Sequence, residues 1–230
     1  MKNMQNQNGF TLIEIAIVLV IIGLLLGGIL KGQEMITQAK IKNVVNDFNG
    51  ITAAVNSYQD RYRALPGDDL NAVTRWVAQG AISGDGNGQL CAGACAATPI
   101  VPNLYNNSVA TTLAAPEVNL FWWHLRLAGF VGGTTASGAG SSASQPANAA
   151  NGIIGVQTGG MGFTSNIVCS SNLPDKIAIA VDTQMDDGTS TTGQVRGLVQ
   201  ASPNPPAGAI APVAAYAENG TNQYLLCKNM

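Results

Sequence analysis

A continuous run of apolar residues dominates the first part of the chain. It extends from Phe10 to Leu30, follows a polar start rich in Asn and Gln, and contains one charged residue, Glu14. At about 1.5 Å of rise per residue, a helix of this length spans about 31 Å, which is enough to cross the hydrocarbon core of a membrane. The pattern therefore predicts a membrane-spanning helix over residues 10–30.

Beyond this run, apolar positions recur at spacings of three and four. One-sided spacing of this kind predicts that the helix continues over residues 31–65 with one apolar face, which must dock on another part of the chain. Pro66 disfavours helical geometry at Leu65, so we expect the helix to end near Ala64. The apolar positions are Ile41, Val44, Val45, Phe48, Ile51, Val55, Tyr58 and Tyr62.

Residues 66–230 have the pattern of a globular head. The segment 117–130 is apolar nearly all round and predicts a short helix that is buried or meets another subunit, whereas the Gly-, Ala- and Ser-rich segment 132–152 predicts a flexible surface loop. Four runs rich in β-branched residues, separated by turn residues, predict short antiparallel strands. These runs are Ile153–Val156, Phe163–Cys169, Lys176–Val181 and Gln194–Val199, with Tyr224–Cys227 closing the chain.

The composition favours a secreted or assembled protein over a cytosolic enzyme. Charged residues make up 10% of the chain, and its polarity comes from Asn, Gln, Ser, Thr and 27 glycines, whereas about a quarter of residues are charged in an ordinary domain. The net charge is −2. A nucleic-acid-binding protein usually has a basic surface, and this balance does not indicate one.

The four cysteines indicate two disulfides in an oxidising compartment. A zinc site usually has two close pairs of ligands, but only Cys91 and Cys95 are close, and the single histidine, His124, lies in another segment. We therefore expect disulfides instead of a metal site. Pairing of Cys169 with Cys227 would tie the C-terminus to the sheet and leave Cys91–Cys95 to close a small turn, although other pairings are open.

Glu14 requires an explanation, because a carboxylate inside a membrane helix costs about 2.5–3.5 kcal/mol on insertion scales. A cleaved secretory signal is disfavoured, since Lys2 is the only basic side chain before the apolar run and no small-x-small cleavage site follows it. The segment from Gly9 to Glu14 reads GFTLIE. A short polar leader, Gly-Phe, a Glu five residues further on and a spanning helix together resemble the processing motif of type IV prepilins and type II secretion pseudopilins.

The resemblance implies that a prepilin peptidase cuts between Gly9 and Phe10, removes the leader 1–9 and N-methylates Phe10. It also implies that Glu14 pairs in a filament with the terminal ammonium of a neighbouring Phe10, since an α-amine is mostly charged near neutral pH. The implied fold is the α+β pilin fold, in which one long helix packs on a C-terminal antiparallel sheet. The implied partners are the peptidase, other pilin or pseudopilin subunits, the inner membrane and its assembly platform, without a cofactor.

Acidic turns in the head are candidates for calcium. Asp85 and Asn87 match the first two ligand positions of an EF-hand loop, but Leu90 replaces the turn glycine and Ala96 the bidentate Glu. We therefore interpret residues 84–88 as a tight turn. Because some pseudopilins hold calcium in a head loop, the calcium candidates are Asp68, Asp85, Asn87, Asp182, Asp186 and Asp187.

These features bear on three classes of function: a filament subunit, a secreted or anchored enzyme, and a ligand-binding or adhesive module that uses the helix for delivery. An anchored enzyme is disfavoured, because the sequence has no nucleophile motif, paired acids or cofactor loop, and His124 has no catalytic partner at a suitable spacing. Many pilins have a proline early in the helix, where this chain has Lys31. This difference and the large head favour a pseudopilin or minor pilin, located in the inner membrane with a periplasmic head and later in a filament. The alternative is a tip-located minor pilin that binds a surface or DNA.

Overall fold

The computed structural model describes residues 11–91, 104–107, 116–136 and 143–230. The chain divides into two compact units, residues 1–39 and 40–230. Helix α1 runs from Leu12 to Tyr62, so it ends two residues before the expected position near Ala64. Arg63 adopts the left-handed conformation that often follows a helix, with a φ of 55°, and donates its N–H to Gln59 O at 2.8 Å.

The second unit adds three short helices and four strands in the described residues. The helices after α1 are α2 (Ala72–Arg75), α3 (Glu117–Leu127) and α4 (Asp175–Met185), and a 3₁₀ turn spans Val77–Gln79. The strands are β1 (Ile154–Gly160), β2 (Phe163–Pro174), β3 (Val195–Val199) and β4 (Gln223–Asn229).

The strands form one antiparallel sheet with the order β1-β2-β4-β3. Strands β2 and β4 are therefore central, and Cys169 lies directly opposite Cys227 in their register. A long helix packed on a C-terminal antiparallel sheet is the α+β arrangement expected for a pilin-like head. The predicted fold class is confirmed.

The apolar face of α1 forms the centre of the main core. Val44, Phe48 and Tyr58 are each at most 1% exposed, and they belong to one cluster with residues of α3 and of the sheet. Burial of one large apolar side chain contributes about 1.5–3 kcal/mol, so this face holds the helix on the head. The one-sided spacing of three and four correctly predicted the buried face.

A second, smaller core lies on the other face of the sheet. Because successive side chains of a strand point to opposite faces, Val168 belongs to the main core while its neighbours Ile167 and Cys169 belong to the second one. Cys169 and Cys227 are fully buried there and form a disulfide. The expected bond between these two residues is confirmed.

The strand predicted at Lys176–Val181 is wrong, because this segment belongs to α4. A short apolar run cannot be assigned to strand or helix by periodicity alone. Two local features favour the helix: Ala178 and Ala180 are strong helix formers, and Asp175 accepts the N–H of Lys176 at 2.7 Å in the first turn.

Part of the segment predicted to be a flexible loop is anchored on the sheet. Asn148 is 7% exposed; its Nδ2 donates to Ser170 Oγ at 2.8 Å and to Ser171 O at 2.6 Å. Its Oδ1 accepts the N–H groups of Ala150 and Gly152, both at 2.8 Å. Composition alone did not indicate that a single asparagine fixes this turn against β2.

Candidate functional site

Reciprocal hydrogen bonds between Thr11 and Glu14 close the N-terminal end of α1. Thr11 N and Oγ1 each donate to Glu14 Oε2 at 2.8 Å, and Glu14 N donates to Thr11 Oγ1 at 3.4 Å. This is a capping box, in which the residue before a helix and its third residue satisfy free polar groups of the first turn. Sequence reasoning overlooked it, although the T-x-x-E spacing is its signature.

The side chain of Glu14 is exposed and keeps one oxygen available. Within the described part of the chain, its hydrogen bonds go to Thr11 through Oε2, and Oε1 accepts none. A second charged group can therefore approach Glu14 without displacing the cap. The cap role and the assembly role implied by the resemblance are compatible.

The first part of α1 exposes apolar side chains on all sides. Leu12 is 92% exposed and Leu24 is 74% exposed, and none of residues 11–31 is buried. A soluble monomer rarely exposes more than a few hundred Å² of contiguous apolar surface, so this segment needs a membrane or other chains around it. The large exposed apolar residues are Leu12, Ile13, Ile15, Ile17, Val18, Leu19, Val20, Ile21, Ile22, Leu24, Leu25, Leu26, Ile29, Leu30, Met35 and Ile36.

Glycines on the same segment permit close approach of another helix. Gly23 and Gly27 are four residues apart, as are Gly28 and Gly32, and a Cβ built on any of them meets nothing within 4 Å. Small residues at this spacing allow helix backbones to pack closely in membranes. Among the described residues, α1 is the helix with the length and composition to cross a membrane.

His124 has a structural role in the head. It is fully buried; its Nδ1 accepts the N–H of Gly67 at 2.9 Å, and its Nε2 lies 2.8 Å from Ile82 O. Burial lowers the pKa of His124 to about 4, so the ring is neutral near pH 7. Since Nδ1 accepts, Nε2 carries the proton and donates to Ile82 O.

Gly67 explains why the segments around residues 67 and 124 meet closely. Its φ is 93°, and a Cβ at this position would lie 2.6 Å from Glu117 O. A side chain here would push the first turn of α3 away and break the bond from Gly67 to His124. The turn at Gly67 and the start of α3 therefore support each other structurally.

Asp69 connects α1 to the start of the head. It is fully buried and accepts hydrogen bonds from Tyr58 Oη at 2.6 Å, from Asn71 N at 2.8 Å and from Arg75 Nη1. Burial alone raises the pKa of Asp69, but the bonds from Arg75 and Tyr58 outweigh it and hold this pKa below its usual value. The carboxylate stays charged and fixes the helix to the loop that follows.

The first acidic group contains Asp68, Asp85 and Glu117, which can bring one carboxylate oxygen each within 4.8 Å of one another. Both oxygens of Asp68 accept backbone N–H groups of residues 86–88, and Glu117 Oε1 accepts the N–H of Asp85 at 3.0 Å. Asn87 donates to Asp85 from its Nδ2 at 2.9 Å. These contacts build a turn.

The second acidic group contains Asp182, Asp186 and Asp187. Asp182 accepts bonds from Gly188 N and Tyr216 Oη. Asp186 accepts two N–H groups at the start of β3, and Asp187 accepts donors from the turn that follows it. A calcium ion needs six to eight oxygen ligands. In both groups every carboxylate accepts at least one donor within the head, so these residues build turns; their role as calcium ligands stays a prediction.

Three of the predicted site residues lie outside the described part of the chain. Gly9 and Phe10, which define the cleavage position, precede it, and Cys95 falls in the gap after residue 91. Cys91 itself is disulfide-bonded. The calcium candidates lie in two separate groups. Asp85 lies beside Asn87 in the first group, and Asp186 lies beside Asp187 in the second.

The N-terminal segment matches a known family model. A family model described as the prokaryotic N-terminal methylation motif matches residues 4–30. No curated protein and no solved structure matches the chain. The matched segment contains residues 4–9 of the expected leader, the cleavage position expected from the sequence and the first part of α1. Residues 4–30 therefore carry the N-terminal motif of prepilin-type cleavage and methylation, on a chain whose long helix packs against a pilin-like antiparallel sheet.

Proposed function

We propose that the protein is a structural subunit of a type IV pilus-like filament, as a pseudopilin or minor pilin, and not an enzyme. The observation that carries this proposal is the methylation motif at residues 4–30, continued by a helix whose first part exposes apolar side chains all round. A surface of this kind is stable in a membrane and, after extraction, in a bundle of like helices. Before assembly, the subunit is anchored in the inner membrane with its head in the periplasm.

Cleavage of the leader creates the positively charged terminal amine that assembly uses. Prepilin peptidase cuts after Gly9, which leaves Phe10 as a methylated terminal amine. Phe10 of one subunit then pairs with Glu14 of its neighbour. An opposite-charge pair is stronger inside an apolar bundle than in water, but removal of one partner there leaves a costly unpaired charge. The free Oε1 of Glu14 supports this role, because the incoming ammonium does not compete with Thr11.

The processing step is tested by producing the full chain together with a prepilin peptidase and measuring the intact mass. We expect loss of residues 1–9 and a gain of one methyl group on the new terminus. A Gly9→Val variant should keep its leader, whereas the neighbouring Asn8→Ala variant should be processed normally. An unprocessed wild-type chain under these conditions would contradict the proposal.

The assembly step is tested by comparing two variants of the capping box. Glu14→Ala removes both the cap and the charge partner, whereas Thr11→Ala removes the cap and keeps the carboxylate. Both should be processed. We expect filament incorporation to fall at least about tenfold for Glu14→Ala, which corresponds to about 1.4 kcal/mol, and to change little for Thr11→Ala. Quantification of the subunit in sheared filaments gives the result, and equal incorporation of the two variants would refute the charge-pairing role.

A further inference from the structure

A recess of about 270 Å³ opens beside α1 in the second unit. Asp47 and Gly50 of α1 line it together with Phe130, and the buried side chains of Trp122 and Ile154 lie beneath these residues. We refer to it as the Asp47 recess. It lies entirely within residues 40–230, the larger compact unit.

Asp47 is the only ionisable side chain that lines the Asp47 recess among the described residues. It is half-buried, and in the described part of the chain no donor reaches it by a hydrogen bond or ion pair. Burial raises the pKa of Asp47. A partly desolvated carboxylate without a partner costs free energy, and a cation brought from outside would recover that cost.

The walls of the recess select the kind of cation. Aromatic rings attract ammonium and guanidinium groups, and the half-buried ring of Phe130 lines the recess. A lysine side chain has an aliphatic stem that packs on apolar surface while its charged end reaches a carboxylate. A divalent metal ion needs several oxygen ligands, which one aspartate does not supply. The chemistry of the recess therefore fits an alkylammonium group.

A second copy of the chain has exposed lysine side chains that provide such an alkylammonium group. In the larger unit, Lys42 and Lys176 are exposed, and neither side chain forms an ion pair or hydrogen bond among the described residues. We propose that the Asp47 recess receives the side chain of Lys42 or Lys176 from a neighbouring copy in the assembly. This inference rests on the proposed function, because it requires copies that assemble. It adds a contact between heads to the contact between apolar helices.

The test uses two complementary full-length chains produced in the same cells. One keeps Asp47 and carries Lys42→Arg and Lys176→Arg; the other carries Asp47→Asn and keeps both lysines. A carbodiimide joins a carboxylate to a lysine in direct contact, and mass spectrometry identifies the linked peptides. A link from Asp47 to Lys42 or Lys176 can then form only between copies. We expect this link, and its absence in assembled filaments would overturn the inference.

Two further substitutions, each made separately in the chain that keeps Asp47, test whether the link forms in the Asp47 recess. A Cβ at Gly50 meets nothing within 4 Å, so Gly50→Leu should fill the recess without disturbing the core. We expect it to reduce the link at least about tenfold, as for a lost charge-assisted contact. Asp60→Asn, which alters an exposed carboxylate on the same helix, should leave the yield unchanged. An unchanged yield in Gly50→Leu would contradict binding in the recess.

A photo-reactive residue at Leu24 separates this inference from the proposed function. Leu24 is exposed on the apolar part of α1, and its crosslinks report helix assembly independently of the heads. Crosslinks at Leu24 without links at Asp47 would refute the head contact and leave filament assembly standing. Failure of both would refute the proposed function and the inference that depends on it.

Discussion

The side-chain carboxyl group of Glu117, the first residue of α3, changes its charge near neutral pH. It is 9% exposed, and burial raises its pKa to about 7, with the nearby carboxylates of Asp85 and Asp68 acting in the same direction. The N–H of Asp85 counteracts part of this effect. Glu117 therefore holds its proton to a higher pH in the folded protein than an exposed glutamate does.

This raised pKa predicts a pH-dependent stability. In the unfolded chain a Glu titrates near pH 4.3. Between this pH and about 7, the folded state holds a proton that the unfolded state has released, so the free energy of unfolding falls as the pH rises. We expect the wild type to lose up to about 3 kcal/mol through this window. Glu117→Gln should lose much less.

The measurement is equilibrium unfolding of the detergent-solubilised full chain at pH 5 and pH 8. Glu117→Gln keeps an oxygen that can accept the N–H of Asp85, so the comparison changes the charge and preserves the turn. Glu218→Gln, at an exposed position, should keep the wild-type pH dependence. If Glu117→Gln and the wild type had the same pH dependence, the side chain would be solvated in solution.

Helix α4 shows why one strand prediction failed where others succeeded. Strands β1 to β4 were recognisable because their β-branched residues lie between turn residues. Lys176–Val181 also contains β-branched residues, but it has local helix-favouring features as well, and its first turn contacts a distant loop. Asp175 accepts the N–H groups of Asn219 at 2.8 Å and Gly220 at 2.7 Å. A single-sequence reading cannot connect residues 44 and 45 positions apart.

Asp175 should therefore hold both the first turn of α4 and the loop before β4. It is 4% exposed, and hydrogen bonds from three backbone N–H groups outweigh its burial and lower its pKa. Asp175→Ala should destabilise the protein by about 1–3 kcal/mol and speed amide exchange at residues 219–220. Lys176→Ala, one residue further on and exposed, should do neither. Unchanged exchange at 219–220 in Asp175→Ala would show that the loop is held by other contacts.

Over the full chain, what could be predicted depended on how far apart the cooperating residues are. The processing motif was readable because Gly9, Phe10 and Glu14 lie within one short segment, and the buried face of α1 follows from spacing along one helix. The bond from Gly67 to His124 joins residues 57 positions apart, and no local pattern indicates it. The hydrogen-bond partners of His124 therefore needed the structure, whereas the role of Glu14 was inferred without it.

Of these changes to the head, removal of the disulfide between Cys169 and Cys227 should cause the largest loss of stability. It joins the two central strands across a separation of 58 residues, and a closed loop of this length stabilises a protein by about 4 kcal/mol in the chain-entropy account. The Cys169→Ala, Cys227→Ala double variant should lose about this much in urea unfolding of the full chain. Cys91→Ala, Cys95→Ala should lose about 2 kcal/mol, because a bond between these residues would close only a short loop. Equal losses in the two double variants would show that the long loop is already constrained in the unfolded chain by residual structure.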